Sequence, residues 1–440
     1  MDDPSPPPVS EPCGAEGALP LPRGRGRRGR WRGVLTNRDF MVLWGGFTVS
    51  SMGTAMANLA IPVLALGISG SPAMAGLVGA ARVAPYLLLN LLAGVFIDRW
   101  NRRTVMIVAD LGRFAALASV PLAYALGTLT VAQLAVVAFL EGVGHVFSAV
   151  SRLSALPKLV PDADLPTANA LNEIGESAAG VGGSALTGLL LGLARTSTLG
   201  AILAYLVNGF TYLVSGASLL FVRASFQEDR AERARTSLLA DLTEGVGFLW
   251  RRRLLRMLLV TVTLVNLLQA PLDLAVIVLA TDELGVGAGL VGLVLAAVGL
   301  GTVLSALAAS WLRERVDLAT LAVVSVLLWS VAAAMMAAAP SMLPLTVGLL
   351  ITNALWPVFA VSLITYRLSV TPDHLQGRVN SAFRTLSFGV EPLGLAVGGV
   401  VIGAAGPRGL LWAVALGQVL VLLFALVSWR RLRVPRPAEG

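Results

Sequence analysis

Between residues 40 and 429 the chain turns apolar twelve times, over 40–66, 73–97, 104–125, 128–150, 169–193, 199–222, 254–280, 289–312, 317–338, 342–366, 382–404 and 408–429. About twenty residues are needed for a helix to cross the hydrocarbon, where backbone groups have no water to pair with. The pattern therefore predicts an all-α integral membrane protein of twelve transmembrane helices. Composition agrees, because 56% hydrophobic and 13% charged residues over 440 positions exceed what one soluble core can hide.

Several chemistries are excluded early. The single cysteine, Cys13, can form no internal disulfide and no multi-cysteine metal site. Lys158 is the only lysine and lies in SALPKLV, so there is no phosphate-binding Gly-rich loop ending in lysine and no ATP-driven step by this chain alone. Gly287 to Gly292 fits Gly-x-Gly-x-x-Gly, but no strand precedes it. With only His145 and His374 present, neither a metal nor a cofactor is expected. The first apolar run is too long for a signal peptide and lacks a cleavage pattern.

Charge sets the expected orientation. Arginines crowd residues 23–38, 99–103, 223–256, 313–315, 367–384 and 430–436, whereas the alternate loops hold only Arg195 and Arg408. By the positive-inside rule both termini are expected in the cytoplasm, in a multi-pass protein of the inner (plasma) membrane. Residues 1–36, with Pro4 to Pro8 and then RGRGRRGRWR, read as a disordered basic tail. Attraction to anionic membrane lipid explains the net +8 better than nucleic acid does.

The longest connection, 223–253, separates an N-terminal six-helix half, 37–222, from a C-terminal half, 254–432, with a short cytoplasmic tail at 433–440. The loop Leu159 to Leu171 is echoed by Ser369 to Ala382, each carrying Pro-Asp, then Leu, then Asn. Two pseudo-symmetric halves handling a small molecule between them is the repeat logic of secondary transporters.

Residues Gly94 to Arg103, GVFIDRWNRR, resemble the loop 2-3 signature of the major facilitator superfamily, Gly-x-x-x-Asp-Arg-x-Gly-Arg-Arg, with Asn101 in place of the second Gly. Asn169 to Asn172, Asp241 to Gly245 with Phe248 and Trp250, and Thr371 to Val379 are similar to the macrolide-efflux and enterobactin-exporter branch. The resemblance covers about residues 34 to 432. It implies a major facilitator fold and a secondary active exporter of a hydrophobic or amphipathic small molecule, of drug, macrolide or siderophore class, working by proton antiport with alternating access. A monomer, and no enzymatic activity, are implied as well. The resemblance also makes Gly94, Asp98, Arg99, Arg102 and Arg103 a conformational latch, with Asp98 approaching Asn380 to Ala382 at the start of span eleven; for the three arginines, pairing with acids such as Asp162 or Asp164 and simply fixing topology are equal alternatives. Where exporters of this superfamily carry Gly-Pro-x-x-Gly-Gly, this chain has Gly183-Ser184-Ala185-Leu186-Thr187-Gly188. That departure keeps open a transport-inactive scaffold or sensor, and a lipid or lysolipid translocator is a third reading.

Charges inside spans cost about 2.5–3.5 kcal/mol each on insertion scales and need a reason. Asp110 and Arg113, three apart, can neutralise each other. Glu141 and His145 share a helical face, flanked by Gly142 and Gly144, with no arginine nearby in sequence. This makes Glu141 the first candidate for proton coupling, modulated by His145, with Glu391, Asp273 and Glu176 following; a static polar pair is the alternative. Asn58, Arg82, Tyr86, Trp356 and Phe359 are the candidates for a substrate cavity, with plain packing an equal alternative for the aromatic residues among them. Gly180, Ser184, Gly188 and Gly192 recur every four positions, a small-residue stripe suited to close helix packing, with Gly292, Gly299 and Gly301 opposite on span eight.

Overall fold

The computed structural model describes residues 31, 33–224, 226, 238–313, 315–372 and 375–432. Among them there is no strand. Fourteen helices of more than one turn follow one another: α1 (Arg38–Ser69), α2 (Pro72–Arg99), α3 (Arg102–Ala125), α4 (Val131–Leu159), α5 (Leu165–Leu193), α6 (Ser197–Ser218), α7 (Leu238–Arg251), α8 (Arg253–Gln269), α9 (Leu272–Val278), α10 (Ala288–Arg313), α11 (Leu318–Ala337), α12 (Met342–Val370), α13 (Gln376–Phe388) and α14 (Glu391–Leu432). A π turn, Leu279–Glu283, extends α9.

Ten stretches of the described residues are long and apolar enough to cross a membrane. The last, Gln376–Ser428, makes two passes, because Gly406 at φ 74° followed by Pro407 folds α14 back on itself. Helix α5 is outside the ten, since Asn169, Asn172, Glu173, Glu176, Ser184 and Thr187 dilute its apolar residues. Twelve passes result, as the sequence predicts. The seventh is built from α8 and α9, the eleventh from α13 and the first part of α14.

The two sides of the bundle are built differently. Turns on the arginine-poor side are tight, and Gly70, Gly127, Gly285 and Gly406 all take positive φ there. Loops on the arginine-rich side are capped by side chains. Asn37 accepts from the Phe40 amide at 3.0 Å and donates to the Leu159 carbonyl at 2.6 Å, joining α1 to the end of α4. Asn101 accepts from the amides of Arg103 and Thr104 and so begins α3. That duty accounts for an asparagine where the family signature has glycine.

Within the first half, α1 lies against α6 along Gly46, Gly53 and Gly67. These are seven or fourteen residues apart, and a Cβ there would strike Ser218, Asn208 with Thr211, and Thr198. The apolar core then divides in an informative way. The largest cluster, on the arginine-poor side, mixes both halves, from Met56 to Ala65, Ala75 and Leu191 to Leu272 through Ala280, Val291 and Ile402. On the arginine-rich side the core is split: one cluster, Val34 to Phe226, belongs wholly to the first half and another, Leu249 to Val421, wholly to the second.

Candidate functional site

The closed end is made by glycines. A Cβ on Gly289 of α10 would lie 2.5 Å from the Cα of Gly192, and one on Gly188 of α5 would lie 2.8 Å from the backbone of Gly292. A Cβ on Gly399 of α14 would lie 2.7 Å from the Pro72 carbonyl and 2.9 Å from the Gly76 Cα of α2. Backbone thus meets backbone across the two halves on the arginine-poor side. Of the predicted stripe, Gly188 and Gly192 make this contact. Gly180 has nothing within 4 Å, and Gly301 faces Leu350 of its own half. Toward the arginine-rich side, Glu173, Ile174, Glu176 and Ala178 of α5 are exposed.

Inside the first half lies a fully assembled charge cluster. Glu141 of α4, 1% exposed, is ion-paired with Arg82 of α2 and, at 3.3 Å, with Arg113 of α3, and it accepts from the Tyr212 hydroxyl of α6 at 2.8 Å. Arg113 also pairs with Asp110 at 3.3 Å, and its guanidinium sits 3.5 Å over the Tyr212 ring. Ser148 donates to Asp110 at 3.3 Å. Arg82 donates onward to Asn58 at 2.5 Å and to the Thr54 carbonyl at 3.3 Å, while Thr54 and Tyr212 share a hydrogen bond of 3.0 Å. Two arginines and two acids therefore cancel in a buried site drawn from five helices.

The glycines flanking Glu141 explain how two arginines reach it. A Cβ on Gly142 would strike the Arg82 backbone carbonyl, so the missing side chain lets α2 press against α4 there. A Cβ on Gly144 would come within 2.5 Å of the Arg113 Cγ and Cδ methylenes. No arginine is near Glu141 in sequence, and its basic partners come instead from positions 59 and 28 residues away. His145 makes no hydrogen bond with Glu141 among the described residues. Its ring instead lies 5.2 Å from that of Tyr86. Thr54, Tyr212, Ser148 and Asn208 were not singled out from sequence, since isolated hydroxyls and amides in apolar runs carry no pattern.

Asn58 is exposed and Tyr86 half-buried, so both can border open space. In the second half, Trp356 is half-buried, but Phe359 is 1% exposed, wedged between Trp329 at 5.9 Å and Trp356 at 6.4 Å. Its place on the cavity wall is corrected by this ring packing. Glu176 of α5 is exposed, and with Glu173 it acts electrostatically on Arg152, whose guanidinium lies over the Phe47 ring. Arg102 is buried and donates to the carbonyls of Ser154 and Phe226, both in the first half. Among the other latch residues, Gly94 lies within α2, the side chains of Asp98 and Arg99 lie outside the described residues, and Arg103 is half-buried at the start of α3.

Asp273 and Glu391 occupy matching positions. Pro271 has no N–H for the Leu267 carbonyl and Pro392 none for the Phe388 carbonyl, so the seventh and eleventh passes are both interrupted partway across. Asp273 is in the first turn of α9 and Glu391 in the first turn of α14. The interruptions adjoin: Gly394 packs against the Leu267 carbonyl and Ala270, and Gly398 against Pro271. Asp273 is exposed and Glu391 half-buried, and neither has an ion-pair partner among the described residues.

Known proteins resemble this chain in sequence and in fold. The profile of the transmembrane secretion effector family matches residues 32–439. The multidrug efflux pump Tap of Mycobacterium tuberculosis is 29% identical over 401 residues, covering 88% of this chain and 92% of that one. An uncharacterised transporter, y4rN, of Sinorhizobium fredii is 29% identical over 362 residues, covering 81% and 86%. Among solved structures, a variant of the nucleoside transporter NupG superposes with a TM-score of 0.76 at 12% identity, over 89% of this chain and 100% of that one. With twelve passes, a core shared by two halves on one side only, and a family profile that spans nearly the whole chain, the protein is a multi-pass membrane transporter of small molecules that belongs to the efflux branch of the major facilitator superfamily.

Proposed function

We propose that the protein exports a hydrophobic or amphipathic small molecule by proton antiport, with the arginine-rich side in the cytoplasm and Glu391 and Asp273 as the coupling acids. The observation that carries this is the pair of adjoining helix interruptions, each opening on an acid that has no ion-pair partner among the described residues. A half-helix amino terminus presents free N–H groups and the positive end of the dipole, which favour the ionised form of such an acid, so its proton affinity depends on how it sits against that terminus. Because the interruptions touch one another, movement of α14 against α8 and α9 alters the surroundings of both acids together. Coupling requires this kind of change between conformations.

Glu141, the first choice from sequence, serves a different purpose in this reading. Its charge is one of two that offset Arg82 and Arg113, and protonating it would leave buried guanidinium charge without compensation. A state open toward the cytoplasm fits the core, which the halves share only on the arginine-poor side. The relatives named as efflux pumps favour an exporter over a silent scaffold, and a siderophore or macrolide falls within the proposed class.

The test uses proteoliposomes loaded with a fluorescent amphipathic dye, with and without an imposed pH gradient. Glu391→Gln and Asp273→Asn should exchange dye downhill but fail to concentrate it against its gradient. Normal concentrative transport by both variants refutes the assignment of coupling. Orientation is checked separately: a cysteine introduced beside Arg233 should be labelled only after the cells are permeabilised.

A further inference from the structure

Helix α7 joins the two halves and has two unlike faces. One is packed away: Leu249 is 0% exposed in the core of the second half, and Gly245 lies against the backbone of Arg378 and the Cβ of Ala382 in α13. Glu244 is ion-paired with Arg378. At its end the opposite side is left with Trp250, 52% exposed, and Arg251, and the start of α8 adds Arg252, Arg253 and Arg256, all exposed. Among the described residues none of these four arginines has an acidic partner.

Their height is fixed by the chain itself. Arg252 caps α8, and Arg253 and Arg256 belong to its first turn, so the patch sits where the seventh pass leaves the hydrocarbon. Arg252 lies over the Phe248 ring at 5.2 Å and Arg256 over Trp250 at 5.9 Å, with Arg256 also donating to the Trp250 carbonyl at 3.4 Å. Guanidinium groups held against rings at the boundary keep their charge at headgroup level, where an exposed tryptophan also prefers to sit. Four positive charges within six residues are thus exposed together at the end of the seventh pass.

We propose that the Trp250–Arg256 edge is a binding site for the headgroups of anionic phospholipids, and that this contact anchors α7, and α13 through it, to the bilayer. The occupant is lipid, because the patch is continuous with a membrane pass. Lipid would thereby steady the arginine-rich end of the eleventh pass, whose other end packs on α2 at Gly76. The site is independent of which substrate or ion is moved.

The experiment uses the full-length protein in nanodiscs of phosphatidylcholine, with or without phosphatidylglycerol. Retained lipid is counted by native mass spectrometry, and α13 is followed by hydrogen exchange over 376–388. Each guanidinium near an anionic surface is worth about a fivefold gain in association. Arg251→Gln/Arg252→Gln/Arg253→Gln together should therefore weaken phosphatidylglycerol retention at least tenfold and abolish its protection of α13. The charge-matched variant Arg430→Gln/Arg431→Gln/Arg433→Gln should behave as wild type, and Arg252→Gln alone should show a partial loss. The proposal is overturned if the first triple variant retains phosphatidylglycerol as wild type does. It is equally overturned if phosphatidylcholine protects α13 as well, or if inorganic phosphate replaces the lipid fully.

Discussion

Replacing Glu141 by glutamine preserves shape and removes one charge, which isolates what that charge does. The carboxylate pairs with Arg82 and Arg113 and accepts from Tyr212, all at a site where Glu141 is 1%, Arg113 3% and Arg82 8% exposed. After Glu141→Gln, among the described residues only Asp110 remains to offset two buried guanidinium groups. One of these, Arg82, keeps Asn58 at 2.5 Å and the Thr54 carbonyl at 3.3 Å, which are neutral acceptors. Removing one member of a buried ion pair costs about 3–5 kcal/mol. The glutamine retains one acceptor oxygen, so the lower end, about 3 kcal/mol, is expected. Reversible denaturation in mixed micelles measures it, and a cycle with Arg82→Gln tests the cause, since residues in one network should couple by about 0.5–3 kcal/mol. The folded fraction of Glu141→Gln should still respond to a pH gradient. A loss below about 1 kcal/mol with additive single effects would refute the charge-balance argument, and a stable variant deaf to the pH gradient would restore Glu141 as the coupling acid.

Other outcomes follow from the same geometry. Gly289→Val should prevent close contact of α5 and α10, because even a Cβ would lie 2.5 Å from Gly192; spin-label distances across the arginine-poor side should lengthen and transport should fall at least about tenfold, and unchanged distances would show that the contact is not a closure. Arg408→Ala should destabilise the protein by about 1–3 kcal/mol, because its guanidinium bonds the carbonyls of Ala337 and Ala339 at 2.8 Å each; the partly exposed pair with Glu283 adds little, and wild-type denaturation would exclude the role. Asn101→Ala should cost about 1 kcal/mol as a lost helix cap, whereas Asn101→Gly should cost a few tenths, a difference that denaturation midpoints can resolve.

The passes were legible because lipid permits so few solutions: a helix must be about as long as the hydrocarbon is thick, and that length is written in the sequence. Function-bearing contacts were less legible. Glu141 announced itself as an acid in an apolar run, but its partners lie on helices far away in the chain. Only the glycines at 142 and 144 hinted that something bulky must pass. Phe359 looked like a cavity residue because aromatic character is visible in sequence, whereas the two tryptophan rings that enclose it are not. The interruptions at Pro271 and Pro392 sit inside runs whose average hydropathy stays high, so averaging over a span conceals them. Each nevertheless shows as a proline beside or near an acid within an apolar run, a pattern visible in the order of residues alone.

The halves divide the electrostatic work unequally, and the inequality bears on how the bundle can move. In the first half every acid of the buried cluster is matched by an arginine on another helix or on its own, so shifting α2, α3, α4 or α6 alone would separate opposite charges in a low dielectric. That half is therefore suited to move as one body. In the second half the matched charges lie near the ends, Arg408 with Glu283 and Arg378 with Glu244, while its acids within the passes, Asp273 and Glu391, stand at broken helices without ion-pair partners among the described residues. Bending at these breaks costs no buried ion pair. The glycine contacts near Gly188, Gly192, Gly289 and Gly292, and those of Gly76 with Gly399, then serve as the points at which the halves part. Rocking should accordingly combine a rigid first half with a second half that flexes at Pro271 and Pro392. Replacing Pro392 by alanine restores a backbone donor to the Phe388 carbonyl and should stiffen the eleventh pass. Hydrogen exchange near 388–394 should slow and transport should fall, while the folded protein becomes no less stable. Faster exchange at that place, or full transport by a demonstrably stiffened helix, would show that the bend is not where the motion occurs.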